Sequence, residues 1–495
     1  MGTRMRRMVL AIIAMLPVLV AGSFAWPASA TAGQAPESQR AFDPALPIGH
    51  MGRWLTDASG RVVLLHGVNL VSKTDGQTPR ARGFGAADAA FLAANGFDVV
   101  RLGLTAGSIM PQPGVIDADY LDSFARTVET LTDHGLLVLV DLHQDGWGPT
   151  LGSDGFPGWM TLTDGAINTH TGFPLYYVTN PAIQAAFDSF WHNAPGPGGV
   201  GLQMRVAAMF AALARRVGSN PGVLGYDLIN EPFPGSTWQP CISAVGCATL
   251  DHSELDPYYA KVSAAIRAHD PSHLVFGEPF VLFNFGVAGT NIDRPGRRST
   301  GGLSWHLYTT DPALDPSAIN YAEQWSTATG GALINTEFGA TTDVSAIDRQ
   351  VGELDNALMP WIWWSFDGLM VKDVASAPTG ANLDTPVVDA LVRPHPVAVA
   401  GTPTALHYDV PTATLTFRYS TRKPGGGSYS CHAVTSLQVP TRSYPAGYHV
   451  LVTGGVVTSE AGSPHLTVVA DPGALSVSVV IGPGGTTRPG KPVEC

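Results

Sequence analysis

Only four of the 495 residues are cysteine. No CxxC spacing occurs among them, so nothing reads as a zinc-type thiolate cluster. Charge is also sparse: Asp, Glu, Lys and Arg make up 14% of the chain, with 28 basic against 40 acidic residues, for a formal charge of −12. That balance excludes a basic footprint and makes nucleic acid a poor partner. Beyond the N-terminal segment no apolar run is long enough to cross a bilayer. Long repeats and low-complexity tracts are missing, apart from short Gly-rich turns such as GGG at 425–427. What remains has 45% hydrophobic content, enough to bury a large core in about two domains.

The N-terminus places Arg4, Arg6 and Arg7 before an apolar run that ends in small residues. This is the layout of a signal peptide over residues 1–32, cut near Ala30 or Ala32, and implies a secreted protein. Losing those three arginines takes the formal charge to −15. In an exported chain an even cysteine count suggests two disulfides. Local order favours Cys241–Cys247 and Cys431–Cys495, although four cysteines permit three pairings.

From about residue 45 to 390, short β-rich apolar runs alternate with amphipathic helical patterns, as in repeated βα units. Eight strands can be counted, at 62–69, 98–104, 136–143, 223–231, 273–279, 302–308, 331–339 and 359–366. Eight such units predict an α/β fold of the (β/α)8 TIM-barrel type over residues 33–393. Helical spacing of Tyr120, Leu121, Phe124, Val128 and Leu131 predicts a helix over 118–134, and 202–217 reads the same way. After a Pro-containing connector, alternating segments such as ATLTFRYS and LSVSVVIG predict a small C-terminal antiparallel β-sandwich over 394–495.

In such a barrel the active site forms at the C-terminal ends of the strands. Almost every predicted strand ends in polar or aromatic residues: His66 and Asn69, Arg101, His143 and Asp145, Asn230 and Glu231, Glu278, His306 and Tyr308, Glu337, then Trp363 and Trp364. Retaining glycosidases need two carboxyl groups roughly 5 Å apart. Glu231 and Glu337, ending strands four and seven, can meet across the barrel mouth. Glu278 is the competing acidic strand end. Arg101 is placed behind the carboxylates as a charged donor to the nucleophile. His143 and Asp145 lack a third ligand at suitable spacing, so no metal or other cofactor is expected. Strand alternation sends only part of Trp361, Trp363 and Trp364 to the sugar, and Trp364 is the preferred choice.

Taken in order, HGVN (66–69), Arg101, NEP (230–232), TEFG (336–339) and the tryptophan-rich last strand resemble glycoside hydrolase family 5. Within it, GVNLVSK (67–73), DLHQDGWG (141–148), DSFW (188–191) and the C-terminal β-domain resemble the endoglycoceramidases. The resemblance implies hydrolysis of the bond between oligosaccharide and ceramide in a glycosphingolipid by double displacement. It makes Glu231 the acid/base and Glu337 the nucleophile. Lys73, His143, Asp145 and Asn230 fall in the sugar site, with Trp191 and Trp364 as stacking platforms and Tyr308 near the nucleophile; His306, at its strand end, is counted with the substrate-binding residues. Where that family has pairs such as Met-Tyr or Leu-Tyr after HQD, this chain has Gly146 and Trp147. The preference between glucosylceramide-rooted and galactosylceramide-rooted glycans is therefore open, and the changed site near Asp145 is a signal for the second type.

A physical argument points to the same substrate class. The segment 146–180 is expected to expose Trp147, Phe156, Trp159, Met160, Phe173, Leu175, Tyr176 and Tyr177 in a long loop at the active face, and FVLFNFGV (280–287) adds apolar bulk. Loops of that length are usually functional, and an amphiphile suits a cleft both polar and apolar. No protein partner is called for, and a monomer is expected. Two other readings are a secreted β-glucanase or mannanase of the same family and a catalytically silent glycolipid-binding protein. No serine triad or metal set supports a lipid amidase.

Overall fold

The structure is a computed structural model that describes residues 43–296, 300–309, 311–487 and 489–491. The expected signal peptide lies outside these residues, as does Cys495 and with it the second expected disulfide. Among the described residues no helix is long and apolar enough to cross a membrane.

Eight parallel strands close a barrel: His66–Val71, Val99–Thr105, Leu137–His143, Val223–Asp227, Leu274–Gly277, Gly301–Leu307, Ala332–Phe338 and Trp361–Trp363. Every residue in them is buried, because side chains face either the barrel interior or the surrounding helices. Their ends differ from the sequence reading. The run 62–69 serves two sheets: Val62 and Val63 pair antiparallel with Val399 and Ala398, and the barrel strand starts only at His66. The fourth strand stops at Asp227, so Glu231 stands on the loop beyond it. Apolar content measures burial, and a buried loop or a second sheet satisfies it as well as a barrel strand.

The helices include Ala118–Asp133, whose first turn is capped by Asp117 through the amide of Tyr120, and Leu202–Val217. Strand five is followed by a 3-10 turn, Val281–Phe285, rather than a long α-helix. This tight turn keeps Asn284 over the barrel mouth. Near the N-terminal strand ends, the hairpin of Gly49–Met51 and Trp54–Thr56 joins a floor of Leu137, Leu139, Leu274, Phe276 and Ile334.

The C-terminal region is a sandwich of antiparallel sheets. One contains Thr402–Asp409, Thr414–Ser420, Ser476–Pro483 and Tyr448–Thr453. The other combines the N-terminal hairpin and Val62–Val63 with His395–Val399, Val434–Gln438, His465–Ala470 and Gly455–Val457. Val62, Val399, Phe417, Leu437, Leu466 and Val479 share one core. The sandwich thus borrows strands from the segment that leads into the barrel.

Candidate active site

The polar centre is built on Arg101, whose strand carries it into the barrel interior with no solvent exposure. Its guanidinium donates to Asp141 at 2.9 Å, Asp227 at 3.0 Å, Glu278 at 3.0 Å, Asn230 at 2.9 Å and Glu337 at 2.5 Å. A planar fork with five N–H donors fits such a ring of acceptors, and a lysine cannot. Four carboxylates around one guanidinium are not all easily ionised. Burial, reinforced by Glu278, drives the pKa of Asp227 far above the carboxylate range, and Ser304 bonds its other oxygen at 2.7 Å.

Glu231 and Glu337 meet above this network. Oxygens of the two, together with a nitrogen of His306, lie within 4.8 Å of one another. The Glu337 carboxylate accepts from Arg101 on Oε1 and from the Tyr308 hydroxyl on Oε2 at 2.9 Å. In Glu231, Oε1 accepts from Asn284 Nδ2 at 3.0 Å and lies 3.0 Å from His306 Nδ1. Its Oε2 has no partner among the described residues. Burial raises the Glu231 pKa, and His306 opposes the rise. The environments of the two glutamates therefore differ in the manner an acid and a nucleophile require.

A cleft of about 820 Å³ opens over both glutamates. Lys73, Asp145, Asp154, Tyr308 and Trp364 line it, together with Leu151, Phe173, Tyr176 and Phe285. Lys73 pairs with Asp145 and sits 4.7 Å above the Trp364 ring, which stacks on His143 at 5.3 Å. Burial opposes charge on His143, yet its hydrogen bond to Asp141 at 2.9 Å and the nearby Asp145 carboxylate hold its pKa up to about 10. Asp145 is half-buried at the cleft wall, and Lys73 keeps its carboxyl below the usual range against the cost of desolvation. Burial and the charge of Asp145 lift neighbouring Asp154 to about 6.

Lys73, Asp145, Tyr308 and Trp364 reach the cleft together with both glutamates. His143, Asn230 and His306 stand behind its lining. Asn230 is fully buried, with Nδ2 donating to the Gln144 carbonyl at 3.0 Å and Oδ1 accepting from Arg101, so its amide is already engaged. Trp191 does not line the cleft. It is buried among Phe190, Tyr258 and Phe280, with its indole N–H donating to the Phe233 carbonyl at 2.7 Å, so the platform expected there is a packing residue. The loop expectation also changes: Trp147, Phe156, Met160, Tyr176 and Tyr177 are buried, and only Phe173 and Leu175 of that set are exposed. Gly146 shows why. A side chain there would meet the Tyr176 ring at 2.4 Å, so its absence lets Tyr176 close in while Trp147 turns inward to stack on Phe156.

Several members of the site carried little sequence signal. Asp141 and Asp227 interrupt otherwise apolar strands and could have been noticed for that. Asn284, Gln144 and Asp154 lie on irregular segments with no periodicity. The disulfide Cys241–Cys247 forms as favoured, in the loop following Glu231.

A closed parallel barrel carrying two facing carboxylates at its mouth, with an antiparallel sandwich behind it, defines a glycoside hydrolase of the clan A type. Residues 57–369 match the cellulase (glycosyl hydrolase family 5) profile and residues 393–481 match the glycoside hydrolase family 5 C-terminal domain. The chain belongs to glycoside hydrolase family 5. It is 32% identical to endoglycoceramidase I of Rhodococcus hoagii, over 91% of this chain and 92% of that one. It is 26% identical to the endoglycoceramidase of Hydra vulgaris, covering 74% and 76% of the two chains. The endo-glycoceramidase II of Rhodococcus sp., solved as its lactosyl-enzyme intermediate, superposes with a TM-score of 0.70 at 27% identity, over 87% of this chain and all of that one.

Proposed function

We propose that this protein is a secreted endoglycoceramidase that cleaves the β-glycosidic bond between oligosaccharide and ceramide with retention of configuration. The observation that carries the reading is the approach of the Glu231 and Glu337 carboxylates to within 4.8 Å, the spacing of direct nucleophilic attack rather than the wider gap that admits a water. Similarity to endoglycoceramidases over nine-tenths of the chain supports the substrate class.

In this reading Glu337 attacks the anomeric carbon as the bond to the ceramide oxygen breaks. The proton on Glu231 passes to that oxygen. Because Oε1 of Glu231 is already occupied by Asn284 and His306, the transferable proton resides on Oε2. Glu231 then takes a proton from water, whose oxygen attacks the glycosyl-enzyme and frees both the oligosaccharide and Glu337. Arg101 and Tyr308 hold the nucleophile with two donors. Lys73, Asp145 and Trp364 supply polar and aromatic contacts for the sugar, while Phe173, Tyr176 and Phe285 offer apolar surface to the ceramide. The glycolipid is the expected partner, presented by a membrane or micelle.

Glu231→Gln should lower turnover of a glycosphingolipid by about 10²- to 10⁴-fold, the range for loss of a positioned proton donor, and Glu337→Gln should abolish it by removing the nucleophile, while substrate binding persists in both. Alkaline loss of wild-type activity should begin above the ordinary carboxylate range, since Glu231 must hold its proton and burial raises its pKa. Mass spectrometry of products from glucosylceramide-rooted and galactosylceramide-rooted lipids and from soluble glucan and mannan decides the substrate. Intact oligosaccharide and ceramide are expected; cleavage of polysaccharide alone would overturn the reading.

A further inference from the structure

Glu278 does not line the cleft and is completely buried, yet it reaches both the backbone of Glu231 and the His306 ring beside the Glu231 carboxyl. Its Oε2 accepts the backbone N–H of Glu231 at 2.8 Å. Its Oε1 accepts from Arg101 at 3.0 Å and lies 3.2 Å from Nε2 of His306, whose Nδ1 faces Glu231 Oε1.

Two features of Glu231 make these contacts consequential. Its φ is +43°, a left-handed backbone that costs a residue other than glycine free energy and persists where its surroundings hold it there. The enforcement is visible on both sides of the residue: Glu278 takes its N–H, and Gln144 Nε2 donates to its carbonyl at 3.0 Å. The second feature is that Oε1 is occupied by donors while Oε2 is not. The direction in which Oε2 presents its proton therefore depends on the backbone twist and on His306 donating to Oε1. Glu278 contacts both controls. Charge points the same way, since a carboxylate beside Nε2 favours the protonated imidazole, which donates from both nitrogens.

We propose that Glu278 is a positioning residue for proton transfer: it locks the backbone of Glu231 and holds His306 as a donor to Oε1, so that Oε2 alone carries the proton to the leaving oxygen. This rests on the reading of Glu231 as the acid/base. A residue that merely neutralised Arg101 would support the nucleophile instead, so the two roles predict different dependence on the leaving group. Departure of a ceramide alkoxide needs a proton; departure of a dinitrophenolate does not.

The test compares Glu278→Gln with wild type on a glycosphingolipid and on the 2,4-dinitrophenyl β-glycoside of the same sugar. Gln offers a single acceptor oxygen, which cannot serve both Arg101 and the Glu231 amide. The expected result is a loss of kcat/KM on the glycolipid at least tenfold greater than the loss on the aryl glycoside. Equal losses overturn the proposal. Should Glu278→Gln be inactive on both substrates, Glu278→Asp, which keeps the charge but shortens the reach, is read by the same ratio. Glu231→Ala tests the underlying assignment separately through the same two substrates, with azide added to capture a retained glycosyl azide. If Glu231→Ala shows leaving-group dependence and the Glu278 variants do not, only the positioning role falls. If Glu231→Ala shows none, the acid/base assignment falls first.

Discussion

Arg101 is the residue on which the largest single-site effect is expected. Its guanidinium is the common donor to Asp141, Asp227, Glu278, Glu337 and Asn230, all out of solvent. Lysine keeps the charge but cannot reach five acceptors from one plane. Arg101→Lys should therefore strand buried carboxylates and cost roughly 3–5 kcal/mol, the range for breaking a buried ion pair. Denaturant unfolding of the variant checks this, and a loss under 1 kcal/mol would mean that the carboxylates simply take up protons.

At the scale of elements, the segment after strand three and the turn after strand five shape the substrate cleft. The first folds most of its aromatics inward, where Trp147 stacks on Phe156 and packs edge-on against Phe187 and Phe190. It leaves Phe173 and Leu175 outside at 53% and 61% exposure, and Phe173 also lines the cleft. Burying such side chains against lipid is worth up to about 1.5–3 kcal/mol each. Phe173→Ser with Leu175→Ser should lower kcat/KM on glycolipid in vesicles by about tenfold or more, with much less effect on a soluble aryl glycoside. An equal effect on both substrates would assign these residues to sugar binding or folding.

Across the whole molecule, barrel and sandwich meet at a buried histidine pair. His66 of the first barrel strand lies between the rings of Trp361 and His395, at 4.1 and 3.8 Å, and its Nε2 is 3.2 Å from Asp355. His395, from the sandwich strand that pairs with Val62–Val63, bonds Asp98 at 2.7 Å. Burial, aided by the charge of His395, lowers the His66 pKa to about 4 from 6.5. A base with a folded pKa below its unfolded value contributes full stability above pH 6.5. That contribution fades as pH falls toward 4, because the unfolded chain takes up a proton that the folded one refuses. It amounts to something on the order of 3 kcal/mol. The difference in unfolding free energy between wild type and His66→Phe should accordingly shrink from pH 7 to pH 4.5, and a difference independent of pH would show that His66 stabilises by packing alone.

The sequence by itself determined the eight barrel strands and the trailing antiparallel sheets, and it favoured the short-range disulfide. Alternating apolar periods and local spacing are properties of neighbouring residues, and the chain carries them before it folds. It also marked Glu231 and Glu337 as candidates, because polar residues closing apolar runs must gather at one rim once a barrel closes. Only the tertiary structure decided what surrounds them. Glu278, Asn284 and Asp227 owe their roles to contacts between strands far apart in sequence. Trp191 and the aromatics after residue 146 could not be sorted into cleft and core, since an apolar side chain looks the same in either until its neighbours are in place. The join between barrel and sandwich was hidden for a related reason: residues 62–69 form one apolar run, and which sheet each part enters depends on pairing with residues 295 or more positions away.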